Sequence, residues 1–223
     1  MTGWASDTSC SVPAWSFAAQ RAAARSNCAV ALASSHPFAC ARAWARRNAD
    51  EAVRPTGRLL RNLNPILVPA ASGAALEEAW WGFLIDGKPS RFPSINTRSE
   101  RLQERPGGLR GRAIVPATRW FEMQKPSKTW HEFGLDGALF GMAAVTQRGR
   151  TEDGSWFTCY SIVMQPAPDR LAGIHDRMPV LIPAAFADDW LEGEPTRALM
   201  DDALLASADA TRWVQSATMT TAP

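Results

Sequence analysis

The sequence predicts an α+β domain with an antiparallel, barrel-like β core and flanking helices. Three observations point there. From Ile66 onward the apolar runs are short and end at Pro, Gly or Asp-Gly punctuation, as strands joined by turns do. The helical patterns are few and lie between and after those runs, as in an α+β domain. The 223 residues are 46% hydrophobic and 21% charged, enough for a sizeable core, and hold no uninterrupted run of 18 apolar residues, so no membrane span is expected.

Residues 1–53 read differently from the remainder of the chain. They are rich in Ala, Ser and Arg, and their only acids are Asp7, Asp50 and Glu51. Phe17–Arg25 and Ala39–Arg47 are helical by propensity, yet neither carries a clean apolar stripe. A transit peptide, a misplaced start and a shifted reading frame are all compatible with this composition. The segment is expected to be divergent and poorly ordered, with the folded domain spanning residues 54–223.

Arg54-Pro55-Thr56-Gly57-Arg58 is a basic turn. Ile66–Pro69 and Ala79–Ile85 read as strands, with Asp86-Gly87 as the next turn. Glu104–Gly108 is a loop, and Arg112–Pro116 is a strand that ends at its proline. Trp120–Met123 forms another short strand, and Trp130–Gly134 and Ala138–Val145 form a hairpin about Leu135-Asp136-Gly137. Trp156–Met164 alternates and is β-rich, and Asp169–Gly173 is a helical turn. Met178–Ile182 is the last core strand, Pro183 opens a helix through Leu191, and Thr196–Ala206 forms one more.

A net charge of +2 with a pI near 8.5 permits nucleic-acid binding without arguing for it. Cys10, Cys28, Cys40 and Cys159 form no CxxC pair and no metal-ligand spacing, so reduced thiols are expected and neither a metal nor a cofactor. Ten tryptophans against one tyrosine is an unusual ratio, and indoles stack well on bases, though most are expected in the core.

Three stretches concentrate the polar chemistry. Ser94-Ile95-Asn96-Thr97-Arg98-Ser99-Glu100 follows a Pro-rich turn at Lys88–Pro93 and precedes a polar, helix-compatible run in which Thr97 or Ser99 would cap. Trp120-Phe121-Glu122 and Ile174-His175-Asp176-Arg177-Met178-Pro179 each place a titratable group beside apolar residues. Each has a structural reading as well. Glu122 could pair with Arg119 or Arg98, His175 could be a satisfied structural histidine, and Trp80 and Trp120 suit the core. His36 and His131 read as structural or surface histidines.

Taken together, these stretches resemble the SRAP family, the SOS response-associated peptidases or abasic-site processing proteins. The matching elements run in order: Trp81-Gly82-Phe83, Asn96-Thr97-Arg98-Ser99-Glu100, Arg112-Ala113-Ile114-Val115-Pro116, Trp120-Phe121-Glu122 and Ile174–Val180. The family's usual form of the second is Asn-Ala-Arg-x-Glu. The resemblance implies an enzyme that recognises abasic sites in single-stranded DNA and links to them covalently through an N-terminal cysteine, whose amine attacks the sugar aldehyde and whose thiol closes a thiazolidine. It implies Glu122 as the proton shuttle, Asn96 as the orienting amide and His175 as the imidazole near the sugar. It assigns phosphate contacts to Arg98 and Arg177 and places Trp81 and Trp120 among the DNA-facing residues. A cytoplasmic, nucleoid-associated monomer that acts in the SOS response to DNA damage is the expectation that goes with it.

The chain departs from the family at its start, Met1-Thr2-Gly3-Trp4, where the family has Met-Cys-Gly-Arg. Three accounts stand open: a decayed or misassigned N-terminal region, Thr2 as a weaker amine-plus-hydroxyl nucleophile, and processing that exposes an internal cysteine. The first would make the chain a non-catalytic single-stranded DNA-binding relative. Smaller departures are Met123, where the family often has tryptophan, Leu84–Lys88 in place of a Trp-rich loop, and Met164 in place of threonine. A conventional endopeptidase acting in trans is suggested only by the family's name, because nothing indicates a preformed thiol–imidazole pair.

Overall fold

The alternation of apolar and turn residues resolves into a closed barrel. The computed structural model describes residues 63–71, 73–85, 88–150 and 154–223. Strands β1 (Leu63–Ala70) and β2 (Gly73–Trp81) form a tight antiparallel pair, and β3 (Phe83–Ile85) turns back on β4 (Lys88–Ser94). Strand β5 (Asn96–Arg98) leads directly into helix α1 (Ser99–Glu104), and a 3-10 turn at Pro106–Arg110 comes next. Beyond it lie β6 (Arg112–Ala117), β7 (Arg119–Gln124), β8 (Thr129–Gly134), β9 (Phe140–Arg150) and β10 (Trp156–Pro166). The C-terminal part holds α2 (Asp169–Ala172), β11 (Arg177–Pro179), β12 (Leu181–Ile182), α3 (Ala187–Glu192), α4 (Arg197–Thr211) and β13 (Gln215–Thr218).

In the barrel, β2, β1, β6, β9 and β10 each run antiparallel to the next. An odd number of alternating strands must close with its first and last strands parallel. That is how β10 meets β2, with Cys159 opposite Trp80 and Tyr160 opposite Trp81. The α+β class and the barrel expected from sequence are therefore present, with the sheet mixed rather than wholly antiparallel. Strands β7, β8 and β13 form a separate three-stranded sheet. Among the described residues, no helix is long and apolar enough to cross a membrane.

The barrel strands are covered on both faces. Every residue of β10 from Phe157 to Gln165 is buried, although the sequence predicts alternation. The period of two survives as a sorting between two clusters. Leu67, Ile114, Ala143 and Val163 pack with Trp190, Leu191, Leu199, Met200 and Ala203 of the helices. Their neighbours Ile66, Ala113, Ala144 and Ile162 join the second cluster with Tyr160, Trp120 and Phe133. With no solvated face, β10 shows no inside–outside alternation, and its polar residues Thr158, Ser161 and Gln165 are buried with hydrogen-bond partners.

Several boundaries differ from the sequence expectation for physical reasons. Ala79–Ile85 breaks at Gly82, whose φ of 115° ends β2. Glu104–Gly108 runs into the 3-10 turn, with Pro106 at its first position. The Leu135–Gly137 turn exists, with positive φ at Asp136 and Gly137, but it joins two sheets rather than a hairpin. Met178–Ile182 is divided at Val180, whose N–H and C=O bond to Val163 and Ala143, and a further strand, β13, lies beyond it. Helix α4 is capped by Thr196, whose hydroxyl accepts from the Leu199 amide at 3.3 Å. The Asp86-Gly87 turn lies outside the described residues.

Candidate functional site

Trp81 and Gly82 set the position of the Asn96 stretch. The Trp81 indole N–H donates to the Ile95 carbonyl at 2.9 Å, and its ring lies parallel to Tyr160 with centroids 6.3 Å apart. The Gly82 amide donates to the Tyr160 carbonyl, and a Cβ on Gly82 would sit 3.3 Å from Ile95 Cγ2. Trp81-Gly82 thus acts as a clasp on Ile95, and the Trp81 N–H is occupied by it. Gly82→Ala combines an unfavourable φ with that contact, so it is expected to cost about 1–3 kcal/mol in chemical denaturation.

Beyond the clasp, β5 lies parallel to β10, with Asn96 opposite Ile162, Thr97 opposite Val163 and Arg98 opposite Met164. On the other edge of β10, Met164 faces Pro179 and Pro166 faces Arg177. Paired residues share a face of the sheet, so Asn96, Arg98 and Arg177 lie on the same side, with roughly 10 Å between the flanking strands. Asn96 and Arg98 are exposed. Thr97 points the other way, and its hydroxyl pairs with Ser161 at 2.8 Å. The residue before α1 is Arg98, with no side-chain cap, so neither Thr97 nor Ser99 caps the helix.

Arg177 joins this edge to the histidine. Its guanidinium meets Glu100 Oε1 at 2.6 Å, which ties β11 to the first turn of α1. Burial pushes the Glu100 carboxyl up, but its own backbone N–H, Arg177 and Ser99 outweigh that and leave its pKa lowered. Glu100 therefore adds stability above the ordinary carboxylate range and loses it as pH falls through the lowered value. The effect is screened by partial exposure. The backbone of Arg177 holds His175. The Arg177 N–H lies 3.1 Å from His175 Nδ1 and the Arg177 carbonyl 2.9 Å from it. Nδ1 has a donor partner when bare and an acceptor partner when protonated, so His175 can change tautomer without losing its anchor.

The other imidazole nitrogen faces Glu122, with Nε2 and Oε2 3.8 Å apart. Glu122 lies in β7 with only 21% of its side chain exposed. Burial is the main cause of its raised pKa, His175 opposes it, and Asp176 adds to it. Arg119, a candidate partner for Glu122, pairs instead with Glu132 at 3.1 Å. Arg98 has no carboxylate partner among the described residues. The structural ion-pair reading of Glu122 is therefore replaced by a carboxyl–imidazole pair.

Trp120 is only 7% exposed, stacked 5.1 Å from Phe133 and edge-on to Phe140. It is a core residue, so its place among DNA-facing residues is withdrawn. Trp80 is likewise buried, against Phe157. Cys159 is 1% exposed and burial raises its thiol pKa, which makes it a poor nucleophile. Thr2, Cys10, Cys28, Cys40 and His36 lie outside the described residues. The sequence reading missed Glu100 as the partner of Arg177, and it missed Gln124 and His131 beside Glu122. Alternation along β7 from Glu122 carries a signal for Gln124, but the register that brings His131 opposite Glu122 depends on the β7–β8 turn.

Comparison with known proteins shows the family. The family model described as SOS response associated peptidase (SRAP) matches residues 14–221. The chain belongs to the SRAP family. The SRAP match starts well before Arg54, within the segment set apart on composition. The chain is 30% identical over 170 residues to the abasic site processing protein YoaM of Bacillus subtilis, covering 71% of this chain and 72% of that one. It is 31% identical over 130 residues to the abasic site processing protein YedK of Escherichia coli, covering 53% and 56%. A crystal structure of a protein from Bordetella bronchiseptica superposes with a TM-score of 0.59 at 22% identity, covering 72% of this chain and 85% of that one. A phage-related protein from the same organism gives a TM-score of 0.57 at 23% identity, covering 76% and 81%. These two share the SRAP fold with the chain.

Proposed function

We propose that this SRAP protein recognises abasic sites in single-stranded DNA and, given an N-terminal nucleophile, links to them covalently. The observation that carries the reading is the Glu122–His175 pair, a half-buried carboxyl with a raised pKa facing an imidazole whose other nitrogen is anchored. Open-chain abasic sugar presents an aldehyde. An N-terminal amine adds to its carbon to give a carbinolamine, and loss of the hydroxyl as water gives an imine. A neighbouring thiol then adds across the imine and closes a thiazolidine. The first step removes a proton from nitrogen and the second delivers one to oxygen, so a single carboxyl can serve both. A carboxyl whose pKa is raised toward the working pH does so more readily. His175 exchanges protons with the sugar oxygen during ring opening. Asn96, exposed on the edge of β5, orients the sugar or the N-terminal residue through its amide.

Arg98 contacts the backbone phosphate, a group its planar fork fits. Arg177 is held by Glu100 in the free protein and is available to phosphate when that pair opens. Glu100→Gln would release it. The variant is expected to bind intact single strands more tightly at low salt, and its slope of log K against log salt should steepen by about 0.7. An unchanged slope in fluorescence anisotropy would show that Arg177 stays out of reach of DNA. We place the protein in the cytoplasm, as a monomer acting in a DNA-damage response. Anisotropy with matched abasic and intact oligonucleotides tests the reading itself: tighter binding to the abasic strand supports it, and equal affinity removes it.

A further inference from the structure

We propose that Gln124 and His131 are positioning residues that hold the His175 loop against Glu122, with His131 carrying its proton on Nε2. In β7, Trp120, Glu122 and Gln124 alternate onto one face, opposite Phe133, His131 and Thr129 of β8. The Gln124 amide nitrogen donates to the Gly173 carbonyl at 2.8 Å, just before the Ile174-His175 segment. Its carbonyl oxygen lies 3.3 Å from His131 Nε2. Gly173 O is only an acceptor, so the amide must turn its NH2 toward the loop and its oxygen toward His131. That leaves His131 Nε2 as the donor, because two acceptors cannot share a hydrogen bond. His131 is 9% exposed, so its bond to Gln124 is part-buried, whereas the Gln124–Gly173 bond faces solvent. The relay therefore runs from His131 through the Gln124 amide to the Gly173 carbonyl. It links the strand that carries Glu122 to the loop that carries His175.

The inference rests on reading Glu122 and His175 as the reacting pair, but its test needs no DNA. Nitrogen-15 spectra of the full-length protein should show His131 protonated at Nε2. In Gln124→Leu, amide exchange at His175 and Arg177 should accelerate about 10-fold or more and the His175 ring signals should move, while amides of β1 and β6 keep their wild-type rates. His131→Phe should loosen the same loop more weakly, and His131→Gln, which keeps a donor, should restore part of the protection. It also serves if the leucine variant does not fold. A His131 with no proton on Nε2, or loop exchange unchanged in both Gln124→Leu and His131→Phe, would overturn the proposal. If the wild-type protein ignored abasic DNA while these spectra behaved as expected, the functional reading would fail and the relay would stand.

Discussion

Glu122→Gln is expected to slow covalent capture of abasic single-stranded DNA by about 10²- to 10⁴-fold, the range lost when a positioned acid–base group is removed. Affinity for an intact strand should change little, because the carboxyl acts on the sugar rather than on phosphates. The same variant should be more stable than the wild type at neutral pH. Burial raises the Glu122 pKa, so the folded state holds the proton more tightly than the unfolded state. Stability then falls as pH rises from the ordinary carboxylate range through the raised value, and stays level above it. Glutamine removes that cost, so its gain in thermal midpoint should be full above this window and vanish in acid. Opposite signs for activity and stability would mark Glu122 as a residue kept for chemistry. A variant that captures DNA at the wild-type rate, or melts earlier at neutral pH, would contradict this assignment.

Arg112→Met is expected to cost about 3–5 kcal/mol, a larger stability loss than that of Gly82→Ala. Arg112 opens β6 with a side chain buried under the helices. Its guanidinium donates to the carbonyls of Leu109, Trp190, Leu191 and Gly193, the last three at the end of α3. A positive fork at a helix C-terminus meets both the unpaired carbonyls and the negative end of the dipole. The Trp190 indole N–H, donated to the Ala113 carbonyl at 2.9 Å, secures the same junction. Removing the fork leaves buried acceptors without donors, each with a desolvation penalty. Arg112→Lys should recover only a small part, since one ammonium cannot reach four carbonyls in a plane. Urea denaturation measures the loss, and an effect below about 1 kcal/mol would contradict this role.

Arg112 also shows how far the sequence could be read. Arg112-Ala113-Ile114-Val115-Pro116 is legible as a strand and as a family element, yet nothing in it says that its arginine caps a helix that begins at Ala187. That contact joins residues far apart in the chain, and only the packing of α3 on the barrel creates it. Glu122 and His175 are legible because each stands beside apolar residues in a short recognisable stretch. Their mutual approach is not, since it needs the fold to bring β7 against the loop before β11. Trp120 shows the opposite case, where an indole suited to stacking is spent on Phe133 and Phe140. The barrel is legible in the short apolar runs, while its parallel closure depends on the number of strands that join it.

The central claim, that this SRAP protein captures abasic DNA through a site built on Glu122 and His175, is tested most directly by intact-mass measurement. The native protein would be weighed alone and after incubation with an abasic single-stranded oligonucleotide, with an intact oligonucleotide in parallel. The account predicts a new species at the summed mass of protein and abasic strand less one water, and none with the intact strand. No such species with the abasic strand, under conditions in which it is bound, would contradict the covalent account and leave a protein that only binds single-stranded DNA.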